Sequence, residues 1–331
     1  MSSTTNQTQR IGYYDLWRGI AIIMVVGIHT LSAHFSQCDF ALRQVINCAV
    51  PLFLALSGYF AAKQLIDKRL TATSLWCKQI PRIYIPCLVW SGLYIVQTSL
   101  KTGNADIIPL IAMALVGGVS VYYFIILIIQ LYLLLPLMVR YNNRTTLVAT
   151  AIVTLAAVAT ITYLRCIKGI DIPLLYYAGP FTTWILYFMV GVYIAQHKPR
   201  YTLTLPLIIA AIGYALQCIE GNYLYIHYGE GIGMKLSMIL YSMGVILLMF
   251  HPQLSGKYRT TPLTRPIEYC GKVSLGIYLT HCFMIGIASR APYATTVWEV
   301  KWIATLLLTL LLVAGSRKLL PQAINRLIGF K

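Results

Sequence analysis

The sequence predicts an all-α, polytopic membrane helix bundle with about ten transmembrane helices and both termini cytoplasmic. Three observations predict it. Charged residues make up 11% of the chain, under half of the roughly 25% usual in soluble domains, and too few to cover a water-facing surface. The apolar residues, 58% of the total, come in long runs such as GIAIIMVVGIHTL, IILIIQLYLLLPLM and WIATLLLTLLLV; a bilayer-crossing helix needs roughly 20 mostly apolar residues. The 26 Lys and Arg, which with nine acidic residues give a net charge of +17, cluster at the ends of those runs. That placement reflects membrane topology and excludes nucleic-acid binding as the source of the basic excess.

Taken in order, the spans are expected near 13–34, 45–65, 82–100, 121–139, 145–164, 181–196, 203–219, 233–250, 273–289 and 299–319. The run 107–118 is apolar but short, with Pro109 and the Gly117–Gly118 pair, and reads as a re-entrant or interfacial segment. Ten spans put Arg10, Lys63, Lys68, Arg69, Lys78, Arg82, Arg140, Arg144, Lys198, Arg200, Lys257, Arg259, Arg265, Lys272, Arg317, Lys318, Arg326 and Lys331 on one side. Only Arg43, Lys101, Arg165, Lys168, Lys235, Arg290 and Lys301 fall on the other. The positive-inside rule makes the crowded side cytoplasmic. An eleventh span at 107–118 would invert every later loop and spoil this asymmetry. Residues 1–12, rich in Ser, Thr, Asn and Gln, read as a disordered cytoplasmic tail, 13–320 as one transmembrane domain and 321–331 as a cytoplasmic tail.

The first apolar run is followed by polar chain without a small-residue cleavage site, so no cleavable signal peptide is expected. The eight cysteines have no CxxC pair and no metal-ligand spacing, so no metal is expected. Cys38 and Cys48 could flank an outer loop, but no framework spacing calls for a disulfide there.

Chemistry concentrates in YYDLWRGIAIIMVVGIHT. Asp15, Arg18 and His29 sit in or beside one membrane helix, where ionisable groups are costly and mark function. Arg18 and His29 are eleven positions apart, three turns plus about 20°, and about 16 Å along the axis. Asp15 and His29 fall within about 40° of alignment, so all three can face the bundle interior. Taken singly, Arg18 also suits a surface anchor paired with Asp15, and His29 an interhelical hydrogen bond.

Arg18, ten residues, then His29, within DLWRGIAIIMVVGIH, resembles the signature of the acyltransferase-3 family of integral-membrane acyltransferases, which includes O-acetyltransferases. VPLFLALSGYF (Val50–Phe60), KQIPRIYIP (Lys78–Pro86), YYFIILIIQLYLLLPLM (Tyr122–Met138), YFMVGVY (Tyr187–Tyr193) and GKVSLGIYLTH (Gly271–His281) resemble that family's segments in the family's order. The chain departs at Gln79-Ile-Pro-Arg82, where the family has Arg-x-x-Arg and Lys78 can stand in. Tyr122-Tyr123 replaces a Trp-Phe pair. Ile128 and Ile129 precede Gln130, where some members carry a Glu, so no carboxylate partner for His29 is evident there.

The resemblance implies transfer of an acyl group, acetyl being expected, from cytoplasmic acyl-CoA to a hydroxyl of a cell-surface glycan or lipid-linked sugar, in the bacterial inner membrane. His29 is the implied general base, and Arg18, Lys78 and Arg82 the implied ligands of the CoA phosphates. Asp15, Ser57, Tyr59, Tyr123, Gln130, Tyr278 and His281 are candidates for lining the passage. For Ser57, helix packing with Gly58 is the stronger reading; for Gln130 and His281, a structural hydrogen bond is the alternative. His34, His197, His227 and His251 fall near span ends and read as solvated. Glu220 and Glu230 with Tyr223, Tyr225, Tyr228 and His227 form an aromatic outer loop suited to sugars or to the membrane interface. A transporter or flippase of a glycan or lipid precursor is the rival class, against which no pair of matched broken spans appears; a structural subunit of an export complex is a weaker option.

Overall fold

The computed structural model describes residues 2–31, 36–67, 70–102, 107–290 and 297–330. His34, Lys68, Arg69 and Lys331 lie outside the described residues. The helices are α1 (Ser2–Thr30), α2 (Gln37–Ile46), α3 (Ala49–Ile66), α4 (Ala72–Thr102), α5 (Ile107–Leu115), α6 (Tyr123–Arg140), α7 (Arg144–Thr162), α8 (Leu174–Ala178), α9 (Ile185–His197), α10 (Thr204–Tyr228), α11 (Ser237–Met249), α12 (Pro252–Lys257), α13 (Arg265–Lys272), α14 (Ser274–Ala288), α15 (Trp298–Leu319) and α16 (Gln322–Leu327). No strand occurs among the described residues. A helix closes its own backbone hydrogen bonds, which is what hydrocarbon surroundings demand.

A helix occupies each of the ten predicted spans, but not all are alike. Among the described residues six helical stretches are long and apolar enough to cross a bilayer: Gln37–Ile66, Ala72–Leu100, Tyr123–Arg140, Arg144–Ile167, Thr204–Tyr228 and Trp298–Leu319. α13 and α14, bent by 87°, make a seventh if counted together. α9 and α11 have 13 residues each, about 20 Å at 1.5 Å per residue, short of a hydrocarbon core of about 30 Å. The tenth is α1, whose N-terminal end is polar. α5, with nine residues, is too short to span, as its length in the sequence predicts. α1 runs from Ser2.

Local chemistry sets the ends. Ser36 and Asp39 form a reciprocal capping box at the start of α2 (Asp39 N to Ser36 Oγ 3.1 Å, Ser36 N to Asp39 Oδ2 2.7 Å). Asn143 caps α7 by accepting from Thr146 N at 2.9 Å. Pro81, Pro86 and Pro136 lie inside α4 and α6, as membrane helices tolerate. All eight cysteines are free, Cys38 exposed and Cys48 buried, with no disulfide between them.

Between lipid-like surfaces the hydrophobic effect gives helices little reason to associate, so close packing must. α3 packs along α9; a Cβ on Gly58 would lie 2.2 Å from Phe188 O, and one on Gly191 2.0 Å from Ala55 O. α1 crosses α13 in the same way, with Gly19 against Ile267 O (1.8 Å) and Gly271 against Asp15 O (1.9 Å). Buried Glu268 on α13 accepts from Tyr258 Oη at 2.6 Å. Burial and this carboxylate push the Tyr258 phenol up, so it stays a donor. The C-terminal half of α1 is held from the other side by α15: Trp298 Nε1 donates to Gly27 O (3.0 Å) and Trp302 Nε1 to Ile23 O (2.8 Å). Exposed apolar side chains on α7, α10 and α15, among them Ile152, Ile208, Ile219, Leu307 and Leu311, face where lipid would lie.

Replacing Gly191 by Ala should therefore force α3 and α9 apart and cost about 1–3 kcal/mol, read as a lowered melting temperature of the purified protein in detergent. Gly92→Ala, where an added Cβ meets nothing within 4 Å, should leave it unchanged or slightly raised; equal losses in both would rule out the packing explanation.

Candidate active site

A cavity of about 450 Å³ runs through the bundle between α1, α3, α4, α6 and the α13–α14 junction. At one mouth stand Asp15, Arg18, Gln79, Arg82 and Lys272; at the far end stand His29, Val50 and Tyr123. Between them the wall is largely apolar: Ile22, Val25, Phe53, Phe124, Ile125 and Ile128. Arg18 and His29 thus share one passage, as their eleven-residue spacing on a helix requires.

At the mouth, Arg18 Nη1 pairs with Asp15 Oδ1 at 3.3 Å, and its guanidinium lies 4.7 Å from the Phe60 ring centroid. The ion pair leaves the remaining guanidinium donors toward the cavity, since the side chain keeps 34% exposure. Arg82 is exposed and lines this cavity and a second one of about 520 Å³, which Arg317 and Arg326 also line, with Gln322 and Asn325. α14 begins at the cavity wall, where Val273, Ser274 and Leu275 line it. A helix N-terminus carries positive partial charge, so the mouth gathers Arg18, Arg82, Lys272 and a helix start around one opening.

At the far end, His29 meets the ring of His281, centroids 5.2 Å apart. His281 Nδ1 faces two carbonyls, Tyr278 O at 2.6 Å and Ile277 O at 3.3 Å. Carbonyls only accept, so Nδ1 carries the proton and Nε2 keeps its lone pair. α6 and α14 are tied by a reciprocal pair of phenols: Tyr122 donates to Leu279 O (2.5 Å) and Tyr278 to Val121 O. This fixes Tyr123 and Tyr278 at the cavity wall.

Of the residues expected at the passage, Asp15, Arg18, His29, Ser57, Arg82, Tyr123 and Tyr278 line it. Four do not. Lys78 is exposed on α4 and lines neither cavity; it shares a helix face with Arg82 but sits one turn, about 6 Å, nearer the start of α4. Tyr59 is buried among Tyr14, Phe60 and Phe250, because it lies two positions from Ser57 and so on another helix face. Gln130 is a structural clasp, donating to Gly179 O (3.0 Å) and accepting from Phe181 N (3.2 Å). His281 backs His29 without lining the cavity. His251, expected in solvent, is buried and caps α12, its Nδ1 accepting from Gln253 N (3.3 Å), with Nε2 3.2 Å from Tyr201 O.

Residues the sequence reading missed are Lys272, Ser274, Arg317 and Arg326 at the mouth. Their signal was weak: GKVS reads as the approach to a straight span, and only the 87° bend turns it into cavity wall. Among the described residues no group of three or more His, Cys, Asp or Glu could hold a metal ion. A family model described as an acyltransferase domain matches residues 11–316. No curated protein and no solved structure matches the chain.

Because Gln130 holds two backbone groups and not the cavity, Gln130→Leu should act on stability. Stranding Gly179 C=O and Phe181 N–H costs about 1–3 kcal/mol each where they are buried, so the melting temperature should fall. A variant that melts like wild type would show that those groups find other partners.

Proposed function

This chain belongs to the acyltransferase domain family of membrane proteins, and from that membership we propose that it moves an acyl group, acetyl in the first instance, from cytoplasmic acyl-CoA to a hydroxyl of a cell-surface glycan or lipid-linked sugar, in the bacterial cytoplasmic membrane. The observation that carries the reading is one cavity with arginines at its mouth and His29 at its far end. In this reading residues 13–320 form one catalytic unit with both termini cytoplasmic, and the mouth with Arg18, Arg82 and Lys272 opens to the cytoplasm.

The donor's phosphates bind at the mouth, where guanidinium groups suit their charge and geometry. The pantetheine arm, neutral and extended, lies along the apolar wall and delivers the thioester to His29. The axial separation of Arg18 and His29, about 16 Å, matches such an arm. His29 takes the proton of the acceptor hydroxyl as that oxygen attacks the thioester carbonyl. The tetrahedral intermediate collapses, the carbon–sulfur bond breaks, and His29 returns its proton to the leaving sulfur. The products are an ester and a free thiol, with no net proton released. An imidazole can both take and return the proton near neutral pH. His281, with its proton held on the carbonyl side, stands behind His29 as a positioning group.

The test uses the purified protein in detergent with radiolabelled acetyl-CoA and a glycan extract. His29→Ala should reduce labelled ester by about 10²-fold or more, the size of a lost general base, while Arg18→Gln should chiefly raise the KM for the donor. Unchanged transfer in His29→Ala removes His29 from the mechanism. Glycan transport into vesicles without any labelled ester would favour a transporter instead.

A further inference from the structure

At the outer end of α2 the bundle buries positive charge that the acyl-transfer steps do not use. Arg43 is 6% exposed. Its Nη1 donates to Asn47 Oδ1, its Nε has no partner, and no carboxylate lies within ion-pair distance among the described residues. Lys235, fully buried, donates to Gly231 O (2.9 Å) and Gly233 O (3.2 Å). The acids nearby are otherwise engaged. Glu220 accepts from Leu236 N (3.2 Å) and Ser237 N (2.7 Å), Glu230 from Arg165 (2.9 Å), and Asp39 closes the capping box with Ser36. Lys235 has the Glu220 carboxylate within electrostatic reach, but the neutral Asn47 amide satisfies one hydrogen bond of Arg43 and leaves its charge uncompensated, and an unpaired buried charge is costly to keep. Ionisable groups retained in such surroundings mark ligand paths.

The position of Arg43 says which ligand. α2 and α3 form one span, so Arg43, Asn47 and Val50 follow i, i+4, i+7 along a single stripe. Val50 lines the cavity that His29 closes. Arg43 therefore lies on the same stripe about 10 Å further along, beyond the cavity lining itself and within electrostatic reach of His29 and Tyr123. That is beyond the cavity where a thioester oxyanion would form, on the side from which an acceptor arrives.

We propose that Arg43, supported by Lys235, is an anion site for the acceptor, and that the acceptor carries a negative group, carboxylate or phosphate, near the hydroxyl that is acylated. This deepens the function proposed above and rests on it for the identity of the ligand as acceptor.

Binding to the purified full chain in detergent tests it without requiring turnover. The probes are methyl glucuronide, glucose 1-phosphate and neutral methyl glucoside, titrated by calorimetry. Wild type should bind at least one anionic probe tenfold or more tighter than the neutral sugar, and added salt should shrink the gap. Preference for the glucuronide points to an acidic glycan, and for the phosphate to a lipid-linked sugar. Arg43→Gln should abolish the gap and Arg43→Lys keep part of it. If Arg43→Gln does not fold, Asn47→Asp supplies a carboxylate one turn from Arg43 and should abolish the gap in a folded protein. Equal binding of charged and neutral probes by wild type, or a gap that survives in Arg43→Gln or Asn47→Asp, overturns the proposal. His29→Ala should retain the gap. If that variant also retains acyl transfer, the assigned base fails while the anion site stands; if the gap is absent while transfer still depends on His29, the reverse holds.

Discussion

The structure depends on how α1 is held. It carries Asp15, Arg18 and His29 into a medium that penalises every unpaired charge, so none of the three can face lipid. α13 lies across its N-terminal half, and the glycine contacts at Gly19 and Gly271 bring the two backbones together. Trp298 and Trp302 grip its C-terminal half through Gly27 O and Ile23 O. The remaining face of the helix borders the cavity, and that is the face on which Arg18 and His29 lie. Packing against α1 from both sides is therefore what turns a helix with polar residues into the wall of a passage.

Much of this was legible in the sequence. Helical periodicity alone put Arg18 and His29 on one stripe, and each predicted span holds a helix. Hydropathy could not distinguish a helix that crosses lipid from one wrapped by others. α9 is apolar because it is buried on nearly all sides, so its 13 residues read as a full span. The bend between Lys272 and Ser274 has no proline to announce it; Val273 ends one helix and Ser274 starts the next because α13 is pulled across α1. Tyr59, Gln130 and His281 are polar residues in spans, which composition marks as functional, yet Tyr59 and Gln130 meet a ring and a backbone group from distant segments, and His281 bonds to carbonyls of its own helix. Arg43 was legible only as one of the few basic residues on the outer side. Its burial depends on the loop after α10, whose Gly231 and Ile232 carbonyls receive Gln44 and Asn47.

The cavity's cross-section in charge limits what it can accept. At the mouth, Arg82, Arg317 and Arg326 are exposed, so their charges are hydrated and cheap to maintain. Past Arg18 the wall becomes Ile22, Val25, Phe53 and Phe124, where a phosphate would lose its hydration without gaining a partner. A ligand drawn to this passage must be anionic at one end and neutral along an arm at the other. A free anion would stop at the mouth, and a neutral acyl chain would gain nothing from the arginines. On the function proposed above, the wall would select a donor by the order of its groups along its length, with the charged end restrained outside and the reactive end at the imidazole.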